Sequence, residues 1–139
     1  MKTILVDDEL WAMRQFENEC SSISSIELAG CFDSSREALD YARQNLVEFA
    51  LLDIEMPGLN GMELAKKLKK IYPEIIIIFV TAHKEYLLDF LDAGADYYVL
   101  KPYTKEDVES TLRRAKLLSR RFKRRIFIKN HLTMNLKVD

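Results

Sequence analysis

Five side chains suited to metal or phosphoryl chemistry occupy the same kind of place in this sequence, directly after an apolar, β-forming run. Asp7 and Asp8 follow Thr3-Ile4-Leu5-Val6, Asp53 follows Phe49-Ala50-Leu51-Leu52, Thr81 follows Ile75 to Val80, and Lys101 follows Tyr97-Tyr98-Val99-Leu100. In open α/β sheets, ligands bind in the crevice beyond the carboxyl ends of the strands. Three carboxylates gathered there repel one another and favour a hard cation; Mg²⁺ accepts one or two carboxylates, water and phosphoryl oxygen. With nearby charge neutralised, one carboxylate can act as nucleophile toward phosphorus and become an aspartyl phosphate. Asp53 stands alone at its strand end and is the expected nucleophile, while the Asp7-Asp8 pair suits metal holding. Lys101 offers a point charge to one phosphoryl oxygen and Thr81 a short hydroxyl donor to another. Singly, each has an ordinary explanation: a helix cap, a surface ion pair, a strand-end threonine. Their joint recurrence does not.

Alternating elements must position these residues. Residues 2–6 read as a strand, followed from Leu10 by a helix with period Leu10, Met13, Phe16, Glu17, lasting until Ser21-Ser22. Ile26 to Phe32 reads as a second strand, and Ser34 or Ser35 as the cap of a helix bearing Ala38, Leu39, Ala42 and Leu46. Phe49 to Leu52 is the third strand. Its loop holds Pro57-Gly58 and Asn60-Gly61, and an amphipathic helix follows with Met62, Leu64, Ala65, Leu68 and Ile71 inward and Lys66, Lys67, Lys69 and Lys70 on its outer face, stopped by Pro73. The unbroken β-branched run Ile75 to Val80 is expected to lie inside the sheet, covered on both faces. A helix over 84–93 should end at Gly94, before a fifth strand over Tyr97 to Leu100 that Lys101-Pro102 breaks. Thr104 with Asp107 has the form of a capping box opening a long last helix with Val108, Leu112, Ala115, Leu118 and, further on, Phe122.

Five strands alternating with five helices require parallel pairing through right-handed crossovers. The expected fold is α/β, a doubly wound five-stranded parallel sheet of flavodoxin-like order 2-1-3-4-5 with helices on both faces. That order sets strands 1 and 3 side by side, so that Asp7-Asp8 and Asp53 meet.

Over residues 1–122 the chain resembles the receiver domain of the two-component response regulators. The resemblance rests on Asp7-Asp8-Glu9, Asp53 with Met56-Pro57 and Asn60-Gly61, Thr81-Ala82, and Gly94-Ala95-Asp96-Tyr97 leading to Lys101-Pro102. It implies that Asp53 accepts a phosphoryl group from a histidine kinase. It further implies that Asp8 binds Mg²⁺ directly and Asp7 mainly through water, with Asp53 and the backbone carbonyl of Glu55 completing the ligands. The Lys101-Pro102 bond is implied to be cis. Thr81 and Tyr98 become the switch, acting on a face made by the fourth helix, fifth strand and fifth helix; Tyr97 points the other way into packing. Glu55 and His83, each two residues past a site residue, would tune the lifetime of the phosphoryl group, although His83 also reads as a plain loop residue. Trp11, three past Asp8, is expected to report metal binding or phosphorylation by its fluorescence.

Charge is unevenly distributed. Residues 113–125 hold eight Lys or Arg and no acid, which leaves a net charge of -10 on residues 1–112. Residues 123–139 read as a basic linker and the possible start of an output domain, since Ile126, Ile128, Leu132, Met134, Leu136 and Val138 alternate with polar residues. DNA is expected as a partner only through such an output domain, and a homodimer through the switch face or the tail. The two cysteines, Cys20 and Cys31, suit neither a zinc pair nor a disulfide framework and read as inert thiols. Acids at positions 7 and 8 come too early for a secretory leader, and the longest apolar run is too short for a bilayer, so a cytoplasmic protein without membrane contact is expected. Two other functions compete: a receiver-like binding module without phosphotransfer, which the full set of site residues disfavours, and a nucleotide or flavin binder. The latter lacks a Gly-rich phosphate loop after strand 1.

Overall fold

The computed structural model describes residues 1–56, 60–83, 85 and 94–117. Five strands, β1 (Lys2–Val6), β2 (Glu27–Phe32), β3 (Phe49–Asp53), β4 (Ile76–Thr81) and β5 (Tyr97–Leu100), form one sheet in the order β2-β1-β3-β4-β5. Every pairing is parallel. Helices α1 (Leu10–Cys20), α2 (Ser35–Gln44) and α3 (Gly61–Ile71) occupy the crossovers, and α4 covers residues 105–117. The expected strand order and helix placement hold among the described residues. The helix expected over 84–93 lies, apart from Glu85, outside them, as do Leu118, Phe122 and the tail.

Alternation along the strands sorts the core into two layers. Ile4, Val6, Ala50, Leu52, Ile77 and Phe79 meet α2 and α3 through Ala38, Ala42, Leu64 and Leu68. Leu5, Phe49, Leu51, Ile76, Ile78 and Val80 meet Met13 and Phe16 of α1 and Val108 and Leu112 of α4. All residues of β3 and β4 are buried, as the unbroken apolar run of β4 requires.

Local chemistry sets the helix starts. Ser34, not Ser35, caps α2, its Oγ accepting from Glu37 N at 3.4 Å, and Asn60 Oδ1 accepts from Glu63 N at 2.9 Å to cap α3. At α4, Thr104 N donates to Asp107 Oδ2 at 2.8 Å and Asp107 N to Thr104 Oγ1 at 3.2 Å, a reciprocal capping box. Gly94 has φ of +81°, the left-handed region that glycine enters without a Cβ penalty.

Three expectations need correction. Leu10 is 58% exposed, because it stands off the face of α1 that packs on the sheet; Ala12, Met13, Phe16 and Cys20 form the buried stripe instead. Leu46 is 56% exposed because α2 has ended at Gln44, and Val47 takes the core position. Lys69 does not belong to the outer face of α3: its Nζ turns inward to Ile75 O at 2.6 Å and Asp96 Oδ2 at 3.1 Å. Cys20 is buried and Cys31 half-buried, both free; burial pushes their thiols up to about 11 and about 12, so neither is a thiolate at neutral pH.

Candidate phosphoryl and metal site

Ladder hydrogen bonds run to the very ends of the strands and thereby fix the residues that follow. Asp7 N donates to Phe32 O at 2.9 Å, Ile54 N to Val80 O at 3.2 Å, and Lys101 N to Thr81 O at 2.8 Å. Asp53 pairs with Val80 and Thr81 with Leu100, so the ends of β1, β3, β4 and β5 open onto one rim of the sheet.

Carboxylate oxygens of Asp7, Asp8 and Asp53 all lie within 4.8 Å of one another. Asp7 is 1% exposed and Asp53 5%, while Asp8 faces solvent. Lys101 Nζ reaches between the buried pair, 3.0 Å from Asp7 Oδ2 and 3.4 Å from Asp53 Oδ2. The remaining oxygens are engaged locally: Asp7 Oδ1 accepts from Glu9 N at 2.9 Å and Asp53 Oδ1 from Glu55 N at 3.1 Å. The ordinary reading of Asp7 or Asp8 as a helix cap therefore fails, because the N-cap of α1 is Glu9 and it has no side-chain cap.

The electrostatics follow from this crowding. Burial is the largest influence on Asp53 and raises its pKa; Lys101 pulls it down, Asp7 raises it again, and the balance stands at about 6. Burial works against the Lys101 charge, but its hydrogen bond to Asp7 and the attraction of Asp7 and Asp53 outweigh that and hold its pKa above the ordinary lysine value. Three carboxylates against one ammonium leave the cluster electron-rich. The donors are hard oxygens, and 4.8 Å is close to the span of about 4.2 Å between opposite ligands of an octahedron with bonds of about 2.1 Å, so the set fits Mg²⁺.

Thr81 is 2% exposed at the end of β4, and its Oγ1 accepts from His83 N at 3.0 Å. The two expected tuning residues meet: His83 Nε2 lies 3.3 Å from Glu55 Oε1, and His83 Nδ1 lies 3.2 Å from Glu85 Oε1. Sequence reasoning missed Glu85, which carries no signal beyond its place two residues after His83. The Lys101-Pro102 peptide bond is cis. Tyr98 and Tyr97 are both half-buried on the edge strand with rings stacked at 5.3 Å and 3°, Tyr98 against the α2/α3 layer and Tyr97 against the other. Opposite packing was expected of the pair; the stacking was not.

Gly61 and Asp96 were legible as motif letters but not as parts with a task. A Cβ on Gly61 would stand 2.3 Å from Asp53 O, so α3 starts pressed against the backbone of the central acid. Asp96 Oδ2 accepts from Ile77 N at 2.8 Å as well as from Lys69, which ties the entry of β5 to β4 and α3.

The family model for the response regulator receiver domain matches residues 3–113. The chain belongs to that family. Protein MrkE of Klebsiella pneumoniae and the transcriptional regulatory protein YpdB of Escherichia coli are each 32% identical to this receiver domain over 114 residues, 82% of this chain but 42% and 47% of theirs. The sensory transduction protein LytT of Bacillus anthracis is 32% identical over 116 residues, 84% of this chain and 47% of its own. The chain thus spans about half the length of the curated relatives it matches. Among solved structures, the response regulatory domain of MrkE superposes with a TM-score of 0.75 at 30% identity, over 87% of this chain and 99% of that one. The chemotaxis protein CheY4 of Vibrio cholerae superposes at 0.73 with 24% identity, over 82% and 97%, a likeness of fold. Among the described residues of the receiver, no helix is long and apolar enough to cross a membrane.

Proposed function

We propose that this receiver domain is a phosphorylation-controlled switch in which Asp53 accepts a phosphoryl group from a sensor histidine kinase, with Mg²⁺ held by Asp7, Asp8, Asp53 and the Glu55 carbonyl. The observation that carries this reading is the placement of Lys101 Nζ between Asp7 and Asp53 inside a cluster of three carboxylates. An Asp53 oxygen attacks phosphorus, the bond from phosphorus to the donor's imidazole nitrogen breaks, and the electron pair leaves with that nitrogen. Bound Mg²⁺ supplies charge neutralisation for the incoming phosphoryl oxygens. Lys101 and Thr81 donate to oxygens of the group once it is on Asp53. Thr81 and Tyr98 then bias a two-state equilibrium on the face formed by the helix expected over 84–93, β5 and α4, which passes the signal to an output. Residues 1–122 are the receiver in this reading, and 123–139 are a linker toward an output domain that acts on transcription, the only part that would touch DNA. The domain works in the cytoplasm and dimerises through the switch face or the tail.

The test is to incubate the protein with Mg²⁺ and a small-molecule phosphodonor and to measure intact mass for the parent and Asp53→Asn. The parent gains one phosphoryl group and the variant none. Uptake that survives the substitution, or a parent that gains nothing with Mg²⁺ present, would overturn the assignment.

A further inference from the structure

Period two along β5 starts the side chains of Tyr97 and Tyr98 toward opposite faces of the sheet. Tyr98 stands level with Phe79 and packs on the α2/α3 layer, while Tyr97 stands level with Ile78 and packs on the other. Their rings nevertheless lie parallel, at 3°, with centroids 5.3 Å apart. Rings that start on opposite faces meet by leaning past the edge of the strand, and β5, paired to β4 alone, has a free edge over which they can do so. Both are accordingly half-buried, although Phe79 and Ile78 beside them are buried completely.

Tyr97 is itself held from α4, where Arg114 Nη1 donates to Tyr97 Oη at 3.3 Å. A chain of contacts thus runs from the helix, through the guanidinium and the Tyr97 ring, to Tyr98. Thr81 continues the alternation of Ile77 and Phe79, so it shares the face of Tyr98 and lies two residues past the level of that ring on β4. A Tyr98 ring turning along this face toward Thr81 has to leave the stack.

We infer that Tyr97 and Arg114 form a latch that holds Tyr98 in its resting position over the edge of β5. Tyr97 is a positioning residue: it acts on the switch only through the ring it stacks on, and Arg114 acts only through Tyr97. The inference rests on the proposed role of Tyr98 in the switch. Stacking of the two rings favours the latched state by about three- to tenfold. A ligand that requires the inward state binds more weakly in proportion to the scarcity of that state, so the latch lowers its affinity by the same factor. Opening the latch also releases the guanidinium of Arg114 at an exposed position of α4, which reports the state of Tyr98 to that helix.

The test compares the parent with Tyr97→Leu, which removes the ring, Tyr97→Phe, which keeps the ring and removes the hydroxyl, and Arg114→Gln, which leaves both rings in place. In the metal-free, unphosphorylated protein, the Tyr98 ring resonances should move in Tyr97→Phe and in Arg114→Gln. Neither variant removes a ring, so the movement reports position and not a lost ring current. Combining the two substitutions should move them no further. Affinity for the phosphoryl mimic beryllofluoride with Mg²⁺ should rise about three- to tenfold in Tyr97→Leu and about twofold in the two ring-keeping variants. A merely structural role would lower stability without raising that affinity. Tyr98 resonances unmoved in both ring-keeping variants, or an affinity in Tyr97→Leu no higher than the parent's, would overturn the inference. A parent that binds no beryllofluoride would instead strike the Asp53 assignment, and the Tyr98 resonances would then decide on the latch alone.

Discussion

At the scale of single residues, Asp53 titrates under opposing influences that have a measurable outcome. In the unfolded chain its carboxyl ionises near the ordinary value of 3.8, and in the folded, metal-free domain at about 6. Between those values the folded state holds the proton more tightly, so the contribution of Asp53 to stability is greatest below pH 4 and declines as pH rises through 6. The deficit above pH 6 is on the order of 2–3 kcal/mol. Asp53→Asn is therefore expected to melt several degrees above the parent at pH 7 without Mg²⁺, with the difference closing near pH 4. A variant that melts below the parent at pH 7 would show that Lys101 needs the Asp53 charge more than burial penalises it. All five strand-end residues were legible from type and position alone, because a charged or hydroxyl group after an apolar strand has few other reasons to be there. Contacts between side chains were not legible: that Lys101 bridges two carboxylates, and that His83 meets both Glu55 and Glu85, depends on rotamers that no spacing encodes.

Among the elements, the junction of β3 with α3 is the most constrained. With a Cβ at Gly61 facing backbone atoms of Asp53 at 2.3 and 3.0 Å, no side-chain movement can relieve the clash. Gly61→Ala is expected to destabilise the domain by about 2–3 kcal/mol and to push α3 away from β3. Chemical denaturation measures the first effect, and loss of phosphoryl uptake in the folded fraction measures the second. A denaturation midpoint equal to the parent's would refute the contact. Periodicity located the strands to within a residue because alternation and β-branching are strong, local signals. It misjudged three side chains for different reasons: Leu10 stands off the buried stripe of α1, Leu46 lies past the end of α2 at Gln44, and Lys69 bends back to a carboxylate arriving with a later strand.

For the molecule as a whole, the sheet order places three strands inside and two at the edges, and burial follows that order. β1, β3 and β4 are covered on both sides, whereas β2 is half-buried over most of its length and β5 buries Val99 alone. Native-state hydrogen exchange is accordingly expected to be slowest for amides of β3 and β4 and faster by at least about tenfold in β5, where opening exposes less apolar surface. Equal protection across the sheet would contradict the layered account. This gradient was only half legible. The run Ile75 to Val80 announced an inner strand by composition and the expected order 2-1-3-4-5 put the strand bearing Tyr97 and Tyr98 at the margin, but that β5 buries Val99 alone came from the structure. The margin is also the place where a modest free energy can rearrange packing, which suits a strand proposed to carry a switch.

Lys101 bears one consequence beyond its contacts. In the resting domain its ammonium serves as the counter-ion of Asp7 and Asp53, so a divalent cation entering the cluster competes with a cation covalently attached to the protein. An ammonium so displaced would be available to an arriving anion. Thermodynamic reciprocity requires the converse with the same coupling factor: an anion that draws Lys101 away tightens the carboxylates' grip on the metal. The two ligands of the site would thus bind cooperatively through an exchange of partners by one side chain, without any change in the fold.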